Sequence, residues 1–259
     1  MSAQPIFYDL VGRHGGPLFA PNPLKARLAL IHKGVDFDEV DLTFSELKAM
    51  APIMGVERAF VPILKLPDGT FISDSWRIAE WLEETYPDKP SLFLPDLPTP
   101  YNPSAPELAN AKNLARLLSE GFGSSDAMWT TFFELAAPSL VDLVQDEDKE
   151  YFCSDLRFGK DGWQRLMAAD KDALMERAKA SLLPVNALLQ TSPFICGSHP
   201  GFADYVVYGR YHMMRAGSPA LARQIWQAAH LPEVAAWVER LEKKWEKQLV
   251  SVLARQPAM

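Results

Sequence analysis

The side chains best placed for chemistry are those of Asp74 and Ser75, because they stand where a strand is expected to pass directly into a helix. Residues 76–86 carry apolar side chains at helical spacing, and Asp and Ser are favoured helix N-caps. A helix N-terminus presents unpaired backbone N–H groups, so it binds small anions. We therefore expect a site for a carboxylate-sized anion here, with plain helix capping as the alternative.

Two short strands are expected to hold this helix start in place. Residues 63–66 are apolar, residues 67–70 (Pro-Asp-Gly-Thr) have hairpin-turn composition, and residues 71–73 return as a second strand. The same patterns predict, further upstream, a strand at 6–10, a helix with Asn22 as N-cap and Gly34 at its end, a strand at 37–42, and a short helix at 45–50 closed by Pro52. Residues 1–86 thus follow the order β-α-β-α-β-β-α.

The rest of the chain has a different character. Residues 87–106 contain seven prolines, which cannot continue a helix and indicate an extended connector. Beyond them apolar side chains recur at helical spacing, and no stretch has the pattern of a strand. Helical segments are predicted at 108–118, 128–143, 166–189 (kinked or split at Pro184), 203–214, 219–229 and 234–253. Residues 107–259 are therefore expected to form an all-α domain.

Composition limits the classes of partner. The 259 residues are 48% hydrophobic and 23% charged, with a net charge of −7. An acidic chain is poorly suited to nucleic acid or to an anionic membrane surface. No apolar run approaches the roughly 20 residues of a membrane helix. The N-terminal residues lack the basic segment and apolar core expected of a signal peptide, so a cytoplasmic location is expected.

The residues that commonly bind metals are sparse. Cys153 and Cys196 do not form a Cys-x-x-Cys pair, and we expect both to be buried free thiols in a reducing compartment. The five histidines show no ligand spacing, so no metal is expected. They are His14, His32, His199, His212 and His230.

The stretch 61–86 resembles the glutathione-binding half of glutathione transferases. It has Val-Pro at 61–62, then a hairpin, then Ser-Asp-Ser at 73–75 opening an Ile-Ala-Glu-Trp-Leu helix that ends at Tyr-Pro. The resemblance implies an α/β thioredoxin-like N-terminal domain over 1–86. A proline-rich linker over 87–106 would join it to an all-α C-terminal domain over 107–259, which would form the hydrophobic ligand site.

The resemblance also implies how glutathione is held. Val61 would pair its backbone with the cysteinyl part, and Pro62 would be cis. Asp74 and Ser75 would hold the γ-glutamyl end.

The glycine end of glutathione needs a cation. Lys48 and Arg58 lie in the right region, although both could be ordinary solvated surface charges.

Further motifs are similar to those of the etherase-related transferases, which are the bacterial lignin β-etherases and the fungal class related to them. They are Tyr-Asp-Leu at 8–10 and the Tyr-Phe, Arg and Phe-Gly elements within 145–160. Gly201-Phe-Ala-Asp204 resembles the superfamily's helix-capping Ser/Thr-x-x-Asp element, with glycine in place of the hydroxyl residue.

The expected activating residue departs from that pattern. A free thiol has a pKa of about 8.5, and a hydrogen-bond donor at a helix N-terminus can lower it. In the etherase-related proteins the donor is typically a serine, and Ala20 falls on that position. The remaining candidates are the Asn22 side-chain amide, if it is more than an N-cap, and the free N–H groups of the helix start. Tyr8 is another, although we expect it under the sheet.

An electrophile pocket is implied between the domains. Aromatic side chains at i, i+3 and i+4 could line it, or could simply face the core. The predicted lining residues are Phe19, Trp129, Phe132, Phe133, Tyr205 and Tyr208.

The resemblance implies a homodimeric detoxification enzyme in which the glutathione thiolate conjugates or cleaves aromatic or phenolic electrophiles. The first alternative is a non-catalytic carrier, or ligandin, that binds glutathione and polyphenols or other aromatic compounds. A structural or regulatory role for the same fold is a third reading, which requires that glutathione does not bind.

Overall fold

A four-stranded mixed sheet forms the centre of the N-terminal half in the computed structural model, which describes residues 4–120 and 130–257. Its spatial order is β2-β1-β3-β4. The strands are β1 (Ile6–Leu10), β2 (Asp38–Leu42), β3 (Ile63–Lys65) and β4 (Phe71–Ser73). Gly69 takes a φ of 92° in the turn between β3 and β4, as the hairpin composition predicted.

Strand register brings one end of each of the four strands to the same edge of this sheet. β1 runs parallel to β2, with Leu10 opposite Leu42. β1 is antiparallel to β3, with Tyr8 opposite Ile63, and Ile63 lies opposite Ser73 of β4. The C-terminal ends of β1, β2 and β4 therefore lie beside the segment that leads into β3. Each helix that follows one of these strands begins at this edge.

The three helices of this half are α1 (Pro21–His32), α2 (Phe44–Met54) and α3 (Ser75–Thr85). The sequence predicted Asn22 as the N-cap of α1, and this is wrong. Ala20 holds the N-cap position, and Asn22 is the second helical residue. The prediction that Pro52 closes α2 is also wrong. Pro52 lies within the last turn, where one missing N–H bond is tolerated, and the helix ends at Gly55 with φ 68°.

In the described part of the second half, 106–120 and 130–257, the regular elements are helices joined by loops, and β pairing is limited to an isolated bridge between Phe194 and Gly197. The fold class is confirmed. A single 3₁₀ turn (Val141–Leu143) follows α5. The helices are α4 (Pro106–Glu120), α5 (Thr130–Leu140), α6 (Asp146–Phe152), α7 (Asp155–Phe158), α8 (Gly162–Met167), α9 (Lys171–Leu189), α10 (Phe202–Gly217), α11 (Pro219–Trp226), α12 (Pro232–Lys244) and α13 (Val250–Ala254).

Two of the predicted helices are divided differently. The segment predicted at 166–189 breaks before Lys171, where Asp170 caps α9, and Pro184 lies inside that continuous helix. The segment predicted at 234–253 breaks after Lys244, and α13 forms separately. Apolar periodicity persists across both breaks, so it could not locate them.

Helix α10 is the core of the second domain, and nearly all of its residues are buried. Its start is held by Asp204, whose carboxylate accepts hydrogen bonds from the Gly201 N–H (3.0 Å) and the Ile195 N–H (2.8 Å). The same carboxylate accepts from the Cys196 N–H (3.1 Å) and the Trp237 indole N–H (2.8 Å). Asp204 therefore joins α10, α12 and the preceding loop.

The two cysteines are free, as predicted. Both are partly exposed, so the expectation that they are buried is wrong. Over the part of the chain that the structure describes, no helix has both the length and the apolar character needed to cross a membrane. In the same residues, no three side chains of His, Cys, Asp or Glu are grouped as metal ligands.

Candidate active site

The candidate active site lies at the shared sheet edge, where the starts of α1 and α3 meet the segment before β3. The Asp74 N–H donates a hydrogen bond to the Pro62 carbonyl oxygen (3.2 Å), which ties the start of α3 to that segment. The Val61-Pro62 peptide bond is cis, as the resemblance implied. Val61 lies two residues before Ile63, the first residue of β3, so its backbone stands at the entry to that strand.

Asp74 caps α3, as the sequence predicted. One carboxylate oxygen, Oδ1, accepts hydrogen bonds from the Trp76 N–H (2.8 Å) and the Arg77 N–H (3.2 Å). The residue has a φ of 85°, a region that favours glycine and costs other residues about 1–3 kcal/mol. The two capping hydrogen bonds help to offset this cost.

This cap changes the anion site expected from the sequence. Free N–H groups are expected from the sequence at the start of α3, but those of Trp76 and Arg77 are already taken by the Asp74 carboxylate. Ser75 is the first helical residue, and only 2% of its surface is exposed. Any anion at this helix start must therefore be held beside Asp74, through the Ser75 hydroxyl and the N–H groups nearest to it.

The start of α1 supplies few donors. Ala20 is the N-cap, has an extended backbone and makes no side-chain capping bond. Pro21 and Pro23 are the first and third helical residues, and proline has no backbone N–H. Of the first three helical positions, only Asn22 therefore carries an N–H group. Asn22 is exposed, so its side-chain amide can also reach a ligand.

The loop before α1 is held by the helical domain. The Leu18 carbonyl accepts hydrogen bonds from His212 Nε2 (2.8 Å) and from the Gln256 amide (2.6 Å). Burial lowers the pKa of His212 to about 4, so the imidazole is neutral at pH 7. The Gln145 N–H donates to the Gly12 carbonyl (2.8 Å). The loop that leads to Ala20 is thus held at two points by the helical domain.

Lys48 and Arg58, the predicted cations, lie together at a second part of the edge. Both line a cavity of about 570 Å³ between α2 and α6. The Arg58 guanidinium donates to the Tyr151 hydroxyl and lies over the Phe60 ring at 4.8 Å. The structure therefore brings both cations to one cavity, where one of them already has a neutral partner.

Three of the aromatic residues predicted to line a pocket lie in the core. Phe132, Tyr205 and Tyr208 are 0%, 0% and 1% exposed. Phe132 packs against Trp226, with ring centroids 5.2 Å apart. Stripes at i, i+3 and i+4 identify the packed face of a helix, and in α5 and α10 that face is turned inward.

The other three predicted residues have different surroundings. Phe19 is also buried, beside Phe44 at 6.4 Å between ring centroids. Phe133 stacks on Phe158 at 5.6 Å and, among the described members of the set, is the one that is partly exposed. Trp129 lies outside the described residues.

Comparison with known proteins agrees with this geometry. Residues 19–85 match the model of the glutathione S-transferase N-terminal domain, and residues 168–240 match the C-terminal domain of the same family. The chain belongs to the glutathione transferase superfamily. The two matches fall on the two halves that the fold separates.

Solved structures of glutathione transferases share this two-domain fold over most of their length. GSTFuA3 from Phanerochaete chrysosporium is 18% identical with a TM-score of 0.71, covering 93% of this chain and 96% of its own. A glutathione S-transferase of Ceriporiopsis subvermispora, solved with glutathione, is 21% identical with a TM-score of 0.66, covering 95% and 99%. A Tau class enzyme from mango is 17% identical with a TM-score of 0.64, covering 100% and 94%. At such low identities these neighbours support the fold alone, and membership of the etherase-related class stays a prediction.

Two cations that the sequence did not predict lie beside the candidate site. The Arg116 guanidinium lies over the Trp76 ring at 5.6 Å, and Lys112 lies over the Phe93 ring at 5.7 Å. Both cations belong to α4, where the i, i+4 spacing of basic residues was a visible signal. Their aromatic partners could not be predicted, because they lie in another domain and in the linker.

Proposed function

We propose that this protein is a glutathione transferase that uses glutathione as cosubstrate and acts on aromatic or phenolic electrophiles. The observation that carries the proposal is the convergence of Asn22, the Val61-Pro62 backbone and Ser75 at one sheet edge. The Ceriporiopsis neighbour was solved in complex with glutathione, which supports the same ligand here.

Each part of glutathione has a matching group at this edge. The γ-glutamyl carboxylate would take the Ser75 hydroxyl and the first N–H of α3, beside the Asp74 cap, while its ammonium would face the Asp74 carboxylate. The cysteinyl amide would pair with the Val61 backbone in the manner of an added strand. The glycine carboxylate would reach Lys48 or Arg58.

The chemical step needs a thiolate near α1. The thiolate sulfur attacks an electrophilic carbon, a new C–S bond forms, and the bond to the leaving group breaks with its electron pair. A phenolate that leaves in this way takes up a proton from water. The Asn22 N–H and amide would stabilise the thiolate before the attack, so we propose Asn22 as the catalytic residue. The accessible Phe133–Phe158 stack favours an aromatic acceptor.

A non-catalytic carrier of aromatic compounds is the second candidate. The observation that favours it is the start of α1, where Ala20 has no hydroxyl and two prolines have no N–H. Weak activation of the thiol would leave binding intact while slowing conjugation.

We also propose a cytoplasmic homodimer. Two groups of exposed apolar side chains, one in each half of the chain, support a second copy as the partner. Isolated exposed apolar residues are common, but grouped ones mark interfaces. The groups are Ile53, Val56 and Phe60 near the end of α2, and Leu114 and Leu117 on α4.

Calorimetric titration with glutathione tests the proposed site. Ser75→Ala should weaken binding about tenfold or more, because a hydrogen bond to a charged carboxylate contributes about 1.5–3 kcal/mol. Ser73→Ala is the matched control, since its hydroxyl already donates to the Phe60 carbonyl (3.1 Å). Equal affinity in wild type and Ser75→Ala would place glutathione elsewhere, and no binding at all would refute the transferase and carrier functions together.

A further inference from the structure

The cavity between α2 and α6, called here the interdomain cavity, has one wall in each domain. Its volume is about 570 Å³, and its lining includes Lys48, Arg58 and Ala59 from the first domain and Tyr151 from the second. Ala59 lies two positions before Val61, whose backbone would pair with the cysteinyl part of glutathione. The γ-glutamyl end would point toward α3, so the glycine end would point the other way, into this cavity.

Of the two cations in the interdomain cavity, Arg58 is the one held in place. Its guanidinium donates to the Tyr151 hydroxyl and lies over the rings of Phe60 (4.8 Å) and Tyr151 (5.9 Å). Lys48 is exposed and makes no such contact with the described residues. A flexible side chain loses rotamer freedom when it binds an anion. A guanidinium that is already positioned therefore binds a carboxylate at lower cost.

The contact with Tyr151 leaves the charge of Arg58 available. A guanidinium has five N–H donors, and the hydrogen bond to Tyr151 uses the Nη2 group alone. Within residues 4–120 and 130–257, Arg58 makes no other hydrogen bond and no ion pair, although three acidic residues line the same cavity. A hydroxyl partner orients the guanidinium without neutralising it. The exposed Arg58 can therefore still bind a carboxylate through its remaining donors.

The Tyr151 ring is itself fixed by packing. It lies against the buried Phe44 ring, the first residue of α2, with centroids 5.8 Å apart. The Arg157 guanidinium of α7 lies over both rings, at 5.8 Å from Tyr151 and 5.0 Å from Phe44. The place of the Tyr151 hydroxyl therefore follows from the packing of α6 and α7 on α2.

A buried carboxylate fastens α6 to the start of α2. Asp148 is 3% exposed and accepts hydrogen bonds from the Ser45 hydroxyl, the Ser45 N–H (3.4 Å) and the Gln145 side-chain amide (2.8 Å). Asp148 thus caps α2 from the other domain. Tyr151 lies about one helical turn further along α6, so its distance from α2 is set by the same contact.

We propose that Tyr151 of the helical domain is a positioning residue, which holds Arg58 where its guanidinium can bind the glycine carboxylate of glutathione. This inference rests on the proposed function and deepens it, because it assigns part of glutathione recognition to the second domain. Tyr151 would touch neither glutathione nor the reacting sulfur. Its contribution would be to affinity, and it would vanish for a ligand with no charge at the glycine end.

Calorimetric titration with glutathione and with glutathione amide tests the proposal. In the amide, a neutral carboxamide of nearly the same size replaces the glycine carboxylate. Tyr151→Phe keeps the ring and removes the hydroxyl. It should weaken glutathione binding about three- to tenfold and change binding of the amide by less than about twofold. In an Arg58→Gln background, Tyr151→Phe should have little further effect, because both changes act through one guanidinium.

Tyr86→Phe and Arg223→Gln are the matched controls, and they should leave both affinities unchanged. Tyr86 directly follows α3, is partly exposed, and has no hydrogen-bond partner for its hydroxyl among the described residues. Arg223 is exposed on α11, away from the interdomain cavity.

The comparison of the two ligands separates positioning from a general loss of structure, since a loosened fold would weaken both alike. Equal losses for glutathione and the amide, unchanged glutathione affinity in Tyr151→Phe, or additive losses in the double variant would each overturn the role of Tyr151. The proposed function would stand in all three cases, because glutathione still binds the wild type. Failure of glutathione to bind the wild-type protein would instead refute the proposed function, and this inference with it.

Discussion

At the residue scale, the proposed thiol activation would depend on the four residues from Ala20 to Pro23. Ala20 offers no hydroxyl, and Pro21 and Pro23 offer no N–H, so Asn22 is the one helical residue of the four with a backbone N–H, and its exposed side chain adds an amide donor. One hydrogen bond to a thiolate contributes about 1.5–3 kcal/mol, equivalent to about one to two pKa units. The chain therefore has less means of acidifying a bound thiol than a relative with serine at this position.

Substitution at position 20 tests this argument. Ala20→Ser should raise the conjugation rate at pH 7 and lower the kinetic pKa of bound glutathione by about one to two units, because the hydroxyl adds a donor. Asn22→Ala should lower the rate of the native protein. Ala20→Gly is the control, since it alters the cap without adding a hydroxyl. Serine is also a better N-cap, so a higher melting temperature with an unchanged rate and pKa would mean that position 20 does not contact the sulfur.

At the element scale, the start of α10 explains an irregular capping sequence. Glycine stands at position 201, where the superfamily resemblance leads us to expect serine or threonine. A β carbon at Gly201 would lie 2.5 Å from the Leu92 carbonyl oxygen and 2.7 Å from Cys196 Sγ. The linker approaches closely here, because the Phe202 N–H donates to the same Leu92 carbonyl (2.6 Å). Only glycine fits, and the Asp204 carboxylate caps the helix alone.

Restoring the usual capping residue should therefore destabilise the protein. Gly201→Ser should lower the free energy of unfolding by about 1–3 kcal/mol, because overpacking outweighs a capping gain of only a few tenths. Gly201→Ala, which adds the β carbon without the hydroxyl, should be as unstable or slightly more so. Urea denaturation at pH 7 measures all three proteins. A serine variant more stable than wild type would show that the linker can move away without cost.

At the scale of the whole molecule, the two domains are joined by buried polar contacts as well as by apolar packing. His212 and Gln256 reach the Leu18 carbonyl, and Arg255 pairs with Asp41 at 2.7 Å. Within the first domain, Lys33, which directly follows α1, and Glu83 of α3 form an ion pair at 2.7 Å with no exposed side-chain surface. The Glu83 carboxylate also accepts from the Leu92 N–H of the linker (2.7 Å). Tyr101 of the linker donates toward the Glu83 carbonyl (3.5 Å). The interface therefore depends on groups whose protonation states are set by burial.

Stability should fall in mild acid because of His212. Its pKa is lowered from 6.5 to about 4 in the folded protein. Between pH 6.5 and pH 4 the histidine is therefore protonated in the unfolded chain but neutral in the folded one, which favours unfolding. Stability is full above pH 6.5 and falls by about 2 kcal/mol between pH 6.5 and pH 5 from this group alone. His32 is partly exposed, but desolvation of its ring lowers its pKa to about 3, so it adds to the same trend.

Urea denaturation between pH 7 and pH 5 measures this dependence. His212→Gln should flatten it by about 2 kcal/mol, since glutamine can still donate to Leu18 but does not titrate. His230→Gln, at an exposed histidine, is the control and should follow the wild-type curve. Parallel curves for wild type and His212→Gln would show that this buried histidine does not govern acid stability.

Local chemistry made part of the site predictable. The Asp74 cap and the Gly69 turn each depend on a few neighbouring residues, so the sequence alone identifies them, whereas the missing hydroxyl at position 20 was visible only through the family resemblance. The alternation of strands and helices, followed by helices only, likewise indicated the two-part fold. The N-terminus of α1 and the breaks in the later helices were misplaced, because periodicity does not show where a helix begins or ends.

Contacts between distant residues were decided by the tertiary structure alone. The sequence determined that an α3 start and a Val-Pro segment exist, but strand register brought them to one edge with Asn22. Sequence spacing cannot show that His212 meets Leu18, 194 positions away, or that Leu92 excludes a side chain at Gly201. Sequence spacing also cannot distinguish a buried aromatic residue such as Phe132 from its partly exposed neighbour Phe133. The physical reason is that a side chain's neighbours, and with them its burial, exist only after the elements have packed.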